Sequence, residues 1–263
     1  MEKVISKDGT IIAYGKTGSG PALILVDGAM CNSTFGPMPK LIPILSKNFT
    51  VVCYDRRGRG SSSDSTTYSP EREIEDIGAM IDSLDSPVFI FGMSSGAILS
   101  LMAAAKWKKI DKLVLYEPPF ELEDNKNHLN SRTHIAEIRN MLSSGNKSDA
   151  VKYFLQKIVN MPSFLITVFK VLPMWNRLIE LVNTLPYDLE ITNSFTLQIL
   201  KSYSILTPTL IVYGSKSPEV LKEAASEASE RIPNSRIRVL EGESHNVSMK
   251  VLAPVLTDFF IVT

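Results

Sequence analysis

Short unbroken apolar runs alternate along this chain with stretches whose apolar residues return every three or four positions. Ala22-Leu23-Ile24-Leu25-Val26, Phe49-Thr50-Val51-Val52-Cys53-Tyr54, Val88-Phe89-Ile90-Phe91, Lys112-Leu113-Val114-Leu115-Tyr116 and Thr209-Leu210-Ile211-Val212-Tyr213-Gly214 are of the first kind. Such runs predict strands covered on both faces. Arg236-Ile237-Arg238-Val239-Leu240 predicts the last strand, and Lys7-Asp8-Gly9 between Val4-Ile5-Ser6 and Thr10–Tyr14 predicts a hairpin at the start. Ile74, Ile77, Ile81 and Leu84 form a helical stripe, opened by Ser69 as cap and Pro70 in the first turn. Helices are also predicted over 41–45, 97–105, 218–231 and 247–261. Strands alternating with helices imply an α/β fold with a mostly parallel, doubly wound sheet.

The alternation stops at Pro118-Pro119 and resumes near residue 206. The expected organisation is a core of residues 1–119 and 206–263, interrupted by a helical insertion over 120–205. Within it, Ser148 is expected to cap a helix through Val159, and a further helical region to run from Arg177 to about Lys201, broken near Pro186. Phe164, Leu165, Val168, Phe169, Leu172, Met174 and Trp175 are expected to pack the insertion onto the core and line its underside.

Composition narrows the function classes. The chain has 263 residues, 44% hydrophobic and 21% charged, with zero formal net charge, enough for one sizeable core. No basic stripe is present, which excludes nucleic acid as an expected partner. No apolar run reaches the roughly 18 residues of a membrane span, and Met1-Glu2-Lys3-Val4 opens no secretory signal. Two cysteines, Cys31 and Cys53, make no disulfide framework and suit a reducing cytoplasm. The three histidines, His128, His134 and His245, have no ligands at metal-binding spacing, so neither metal nor other cofactor is expected. The expected partner is a small-molecule substrate.

Gly92-Met93-Ser94-Ser95-Gly96 lies between the strand at 88–91 and the helix at 97–105. A serine on so sharp a strand-to-helix turn stands clear of the sheet, at a helix N-terminus where backbone N–H groups meet a developing oxyanion. Ser94 is the candidate nucleophile. His245, in the loop after the last strand, is the candidate base, since such sheets place their chemistry at the C-terminal ends of strands.

With this elbow and the order of elements, the core resembles the α/β-hydrolase superfamily over residues 1–118 and 207–263. Tyr54-Asp55-Arg56-Arg57-Gly58-Arg59-Gly60-Ser61 resembles that superfamily's D-x-R-G-x-G-x-S loop, with Asp55 and Arg57 expected to knit the loops beside the site. Most members carry the triad acid after the strand ending here at Gly214, where this chain has Ser217 and no carboxylate. Members lacking that acid, such as some haloalkane dehalogenases and the zearalenone-type lactone hydrolases, place it one strand earlier. The resemblance therefore implies Glu117, in Tyr116-Glu117-Pro118-Pro119, with Glu219 as second choice.

The oxyanion hole is implied at the backbone N–H groups of Ser95 and Ala29, with Gly28 as the alternative to Ala29. The superfamily's His-Gly there is Asp27-Gly28 here, and Asp27 is expected to tie the loop to its neighbours. The insertion falls where the superfamily carries a cap. Met30, Met93, Phe164 and Trp175 are the candidate substrate contacts, in an apolar pocket. The resulting expectation is a serine hydrolase cleaving a carboxylic ester or lactone of a small, largely apolar substrate through Ser94, His245 and Glu117. Two other readings stay open on the sequence: a cofactor-free haloperoxidase or perhydrolase, and a small-molecule receptor with little or no turnover.

Overall fold

The five central apolar runs become adjacent parallel strands because each can bury both faces only under helices on either side. The structure, a computed structural model, describes residues 1–84, 87–122, 128–200 and 205–261. Its sheet has eight strands in the order β1-β2-β4-β3-β5-β6-β7-β8. The hairpin β1 (Glu2–Ile5) and β2 (Ile11–Thr17) is antiparallel, and β2 also runs antiparallel to β4 (Thr50–Tyr54). From β4 onward, β3 (Ala22–Val26), β5 (Val88–Met93), β6 (Ile110–Tyr116), β7 (Thr209–Gly214) and β8 (Ser235–Leu240) are parallel.

Helices cover both faces. On one side Ile24, Val26, Ile90 and Leu115 pack with α2 (Pro70–Asp82), α3 (Ser95–Lys106) and α10 (Glu219–Arg231). On the other, Leu23, Leu25, Phe91 and Val114 pack with α1 (Met38–Leu45) and α11 (Met249–Ile261). Neighbouring residues of one strand thus belong to opposite cores, which is why these strands read as unbroken apolar runs. No helix among the described residues is long and apolar enough to cross a membrane.

Between β6 and β7 the described chain is helical: α4 (His128–Ser143), α5 (Lys147–Tyr153), α6 (Ser163–Lys170), α7 (Met174–Leu181), α8 (Leu185–Ser194) and α9 (Leu197–Leu200). Two sequence expectations change here. The helix expected through Val159 gives way at Phe154–Ile158 to a π-helical turn, and Asn146 rather than Ser148 stands at its start. Pro186 does not break a long helix but sits in the first turn of α8, after a 3₁₀ turn at Val182–Thr184. The expected end near Lys201 lies outside the described residues.

The insertion has its own cluster around Ile138, Val151, Leu155, Trp175, Leu181 and Leu185. It is also welded to the sheet: Ile191, Phe195 and Leu197 join the core cluster of α2 and α3.

Candidate active site

Two backbone hydrogen bonds at neighbouring strand ends bring the expected chemistry together. Ser94 N–H donates to Tyr116 O (2.9 Å), and Glu117 N–H donates to Val212 O (3.0 Å). The ends of β5, β6 and β7 are thereby locked side by side. Ser94 takes φ 54 and ψ −128, and Glu117 has φ 47. A non-glycine residue in such a conformation costs about 1–3 kcal/mol and persists where its surroundings over-determine it.

Glu117 is fully buried and both its oxygens are occupied. Oε2 meets His245 Nδ1 at 2.6 Å. Oε1 accepts from Gly214 N–H (2.8 Å) and from the hydroxyl of Ser217. Ser217, where the sequence offers no carboxylate, therefore bonds to this glutamate instead. Burial alone would raise the Glu117 carboxyl; the bonds from His245, Gly214 and Ser217 outweigh it and hold the group below the usual carboxylate range.

Tyr116 donates its hydroxyl to Ser244 O (2.6 Å), fixing the loop that carries His245. Glu219 lies apart, with a side chain 71% exposed and paired to Lys222. Among the described residues the side-chain hydrogen bond of His245 is the one to Glu117, and none joins it to Ser94 Oγ.

On the other side of Ser94 stands the loop after β3. A Cβ on Gly28 would lie 3.0 Å from Ser94 Cβ and 3.6 Å from Ser94 Oγ, so this backbone borders the nucleophile directly. Gly28 O accepts from Arg59 Nη1 (2.6 Å) and Arg56 Nη1 (3.4 Å). The C=O and the following N–H of a trans peptide point in opposite directions. Holding Gly28 O therefore aims Ala29 N–H away from the arginines, and that N–H finds no protein acceptor among the described residues.

The three arginines of the 56–59 loop are buried and each faces carboxylate or loop oxygens. Arg56 pairs with Glu73 and Asp188, Arg57 with Asp76 and Asp8, and Arg59 with Asp188. Asp55 accepts from the N–H groups of Ser33 and Ser61. Neither Asp188 nor its bond from the Ser95 hydroxyl (2.7 Å) was foreseen from sequence. A lone aspartate in a helical insertion gives no local signal of a partner 93 residues away.

Asp27 departs from expectation. Its side chain ties nothing: both carboxyl oxygens are buried without a hydrogen-bond partner. Burial, only partly countered by Arg59 and Arg56, pushes its pKa up to about 8, which disfavours the charged form. A folded-state value above the ordinary 3.8 of the unfolded chain means this contribution to stability is fully present below about pH 4 and lost as pH rises through about 8. Asp27→Asn removes this loss. Between pH 5 and pH 8.5, the variant's Tm relative to wild type is expected to improve by at least about 5 °C. A gap independent of pH in paired thermal melts would show that Asp27 does not titrate in this range.

The candidate substrate contacts scatter. Phe164 is corrected: it is 68% exposed, because α6 turns Phe164 and Val168 outward and buries Ile166. Val168 and Leu172 likewise face solvent rather than the core. Trp175 is buried in the insertion's cluster, its Nε1–H donating to Ser148 Oγ (3.2 Å). Met30 is buried in that same cluster, and Met93 in the core beneath α1 and α11. Desolvation pushes the Cys31 thiol well above its usual range, which disfavours the reactive thiolate.

A model of the alpha/beta hydrolase family matches residues 25–253. An alpha/beta hydrolase from Sphaerobacter thermophilus superposes with a TM-score of 0.86 at 39% identity, over 98% of this chain and 100% of that one. The mouse protein serine hydrolase BPHL is 25% identical over 259 residues, covering 94% of this chain and 80% of its own. An esterase from Exiguobacterium antarcticum shares the fold with a TM-score of 0.75 at 21% identity, over 98% of each chain.

Proposed function

The chain belongs to the alpha/beta hydrolase family, and from that premise we propose that it is a serine hydrolase of carboxylic esters or lactones. The observation that carries this reading is the 2.6 Å contact between buried Glu117 and His245 Nδ1, one strand away from the strained elbow at Ser94. A carboxylate in that place keeps the proton on Nδ1 and leaves Nε2 free to accept one. His245 Nε2 takes the Ser94 proton as Oγ attacks the substrate carbonyl. The resulting oxyanion is held by the N–H groups of Ser95 and Ala29. His245 then returns the proton to the leaving alkoxide. Water, activated by the same imidazole, releases the acyl group and restores Ser94.

The helical insertion acts as the cap in this reading. Ala29, Met30 and Phe35 of the loop beside Ser94 merge with its apolar cluster, which favours a largely apolar acyl or lactone substrate over a charged one. The mouse relative, named a serine hydrolase, agrees with the chemistry at the level of class.

A fluorophosphonate probe tests the reading. It is expected to label the folded wild type at Ser94 and to leave Ser94→Ala unlabelled, with peptide mapping as the readout. A folded wild type that stays unlabelled sinks the proposal. Labelling then justifies a screen of p-nitrophenyl esters and lactones of graded chain length.

A further inference from the structure

We propose that Asp188, in helix α8 of the insertion, is a positioning residue that couples the seating of the cap to the geometry of the oxyanion hole; the inference rests on the serine-hydrolase reading above. Asp188 is buried at the end of a path of short polar contacts leading to each group that would hold the oxyanion. Its Oδ1 accepts from the hydroxyl of Ser95 (2.7 Å), the residue whose own N–H is one donor. Oδ1 also accepts from Arg56 Nη1 (2.6 Å), and Oδ2 accepts from Arg59 Nη2 (2.7 Å). Those two guanidinium groups grip the peptide that presents the other donor. Arg59 Nη1 donates to Gly28 O at 2.6 Å and Arg56 Nη1 to the same oxygen at 3.4 Å, besides Asp27 O one peptide earlier at 3.2 Å.

Two further contacts make the coupling belong to the cap rather than to the loop alone. Arg59 Nε donates to Thr184 Oγ1 (3.0 Å), on the turn that leads into α8. Met30, next to Ala29, is buried in the insertion's own apolar cluster. Met30 carries φ 51, a strained conformation in a loop that Arg59 clamps on both sides through Gly28 O and Cys31 O (3.2 Å). The oxyanion loop is thus held from above by the cap's apolar core and from below by arginines whose shared carboxylate comes from the cap.

The two arginines do not depend on Asp188 equally. Arg56 keeps a two-pronged pair with Glu73, at 2.6 and 2.7 Å, if Asp188 is lost. Arg59 has no other carboxylate partner among the described residues. Removing the charge of Asp188 leaves a buried guanidinium uncompensated, and it must move toward water or another acceptor. Arg59 then releases Gly28 O, which keeps only the longer bond from Arg56 Nη1 (3.4 Å), and the Gly28–Ala29 peptide that presents the Ala29 donor is held less firmly. The oxyanion hole is thus complete only while α8 is seated against α2 and α3.

The test uses the full chain and p-nitrophenyl butyrate. Asp188→Asn is expected to lower kcat about 100-fold with KM within a few-fold of wild type. Affinity for a boronic acid, which forms a tetrahedral adduct with the serine, is expected to fall in parallel. Ser95→Ala keeps the backbone donor, leaves no buried charge and is expected to lower kcat about 10-fold, which covers the case in which Asp188→Asn does not fold. Leu256→Ala thins the core under α11, away from the network and from the insertion, and separates positioning from general destabilisation. It is expected to lower Tm while kcat and boronate affinity hold. Unchanged kcat in both Asp188→Asn and Ser95→Ala, or equal losses in Leu256→Ala, overturns the coupling alone. A wild type that neither reacts with a fluorophosphonate nor turns over the ester overturns the serine-hydrolase reading and the coupling with it.

Discussion

Glu117→Gln is expected to lower kcat by about 10⁴-fold, the loss that follows when a triad histidine is held in the wrong tautomer. The geometry leaves the amide only one way to sit. Oε1 of Glu117 accepts from Gly214 N–H and from the Ser217 hydroxyl, so the glutamine oxygen stays on that side. Its NH₂ must then face His245 Nδ1, at the position where the carboxylate oxygen now stands 2.6 Å away. Nδ1 becomes an acceptor, the ring proton moves to Nε2, and Nε2 loses the lone pair with which it would take the Ser94 proton. The burial and shape of the side chain hardly change, so Tm is expected to stay within a few degrees. Glu219→Gln serves as the comparison: its carboxylate is exposed and paired only with Lys222, and kcat is expected to remain near wild type. Steady-state kinetics of both variants decide between them. A fall smaller than about 10-fold in Glu117→Gln would remove this residue from the triad, since even one lost oxyanion donor costs more.

Glu117 was legible as a candidate because the resemblance to hydrolases that place the acid one strand earlier pointed to this strand end. Pro118-Pro119 closes that end visibly in the chain, and parallel strands carry their functional loops at one end. Ser94 and His245 were legible as candidates from a strand-turn-helix elbow and a loop after the last strand. What lay outside reach was everything decided by facing rather than by sequence. The insertion's apolar residues announce a buried face, yet Phe164 and Trp175 share that composition and end in solvent and in a core, respectively. Short helices broken by Pro162 and Pro173 carry too few turns to define one stripe. The partners of Arg56 and Arg59 were hidden more deeply, because an ion pair across 132 residues leaves no periodicity and no spacing. The Asp27 that stands before Gly28 was visible in the chain, but the isolation of its carboxyl from any hydrogen-bond donor is a property of the packed interior alone.

Gly96→Ala is expected to cost about 3 kcal/mol or more, a fall in Tm of roughly 10 °C for a chain of this size, and to lower kcat more than about 100-fold through the displaced oxyanion donor. Conformation is not the reason, since the backbone at Gly96 is not among the positive-φ positions. Space is. A Cβ there would stand 2.4 Å from Val26 O and 2.5 Å from Asp27 O, both backbone atoms. Neither can yield cheaply: Val26 is paired with Gly92 in the sheet, and Asp27 O accepts from buried Arg56. The first turn of α3 must therefore back away from β3, carrying Ser95 and its N–H with it. Gly145→Ala supplies the contrast. Gly145 has φ 77 and nothing within 4 Å of an added Cβ, so it meets strain without a clash and should cost only about 1 kcal/mol. If elbow glycines were needed for backbone freedom, Gly145→Ala would be the more damaging change. If they are needed so that a helix can approach a strand closely enough to present Ser95 N–H beside Gly28, Gly96→Ala is far worse, and paired melting curves with ester kinetics on the two variants show which.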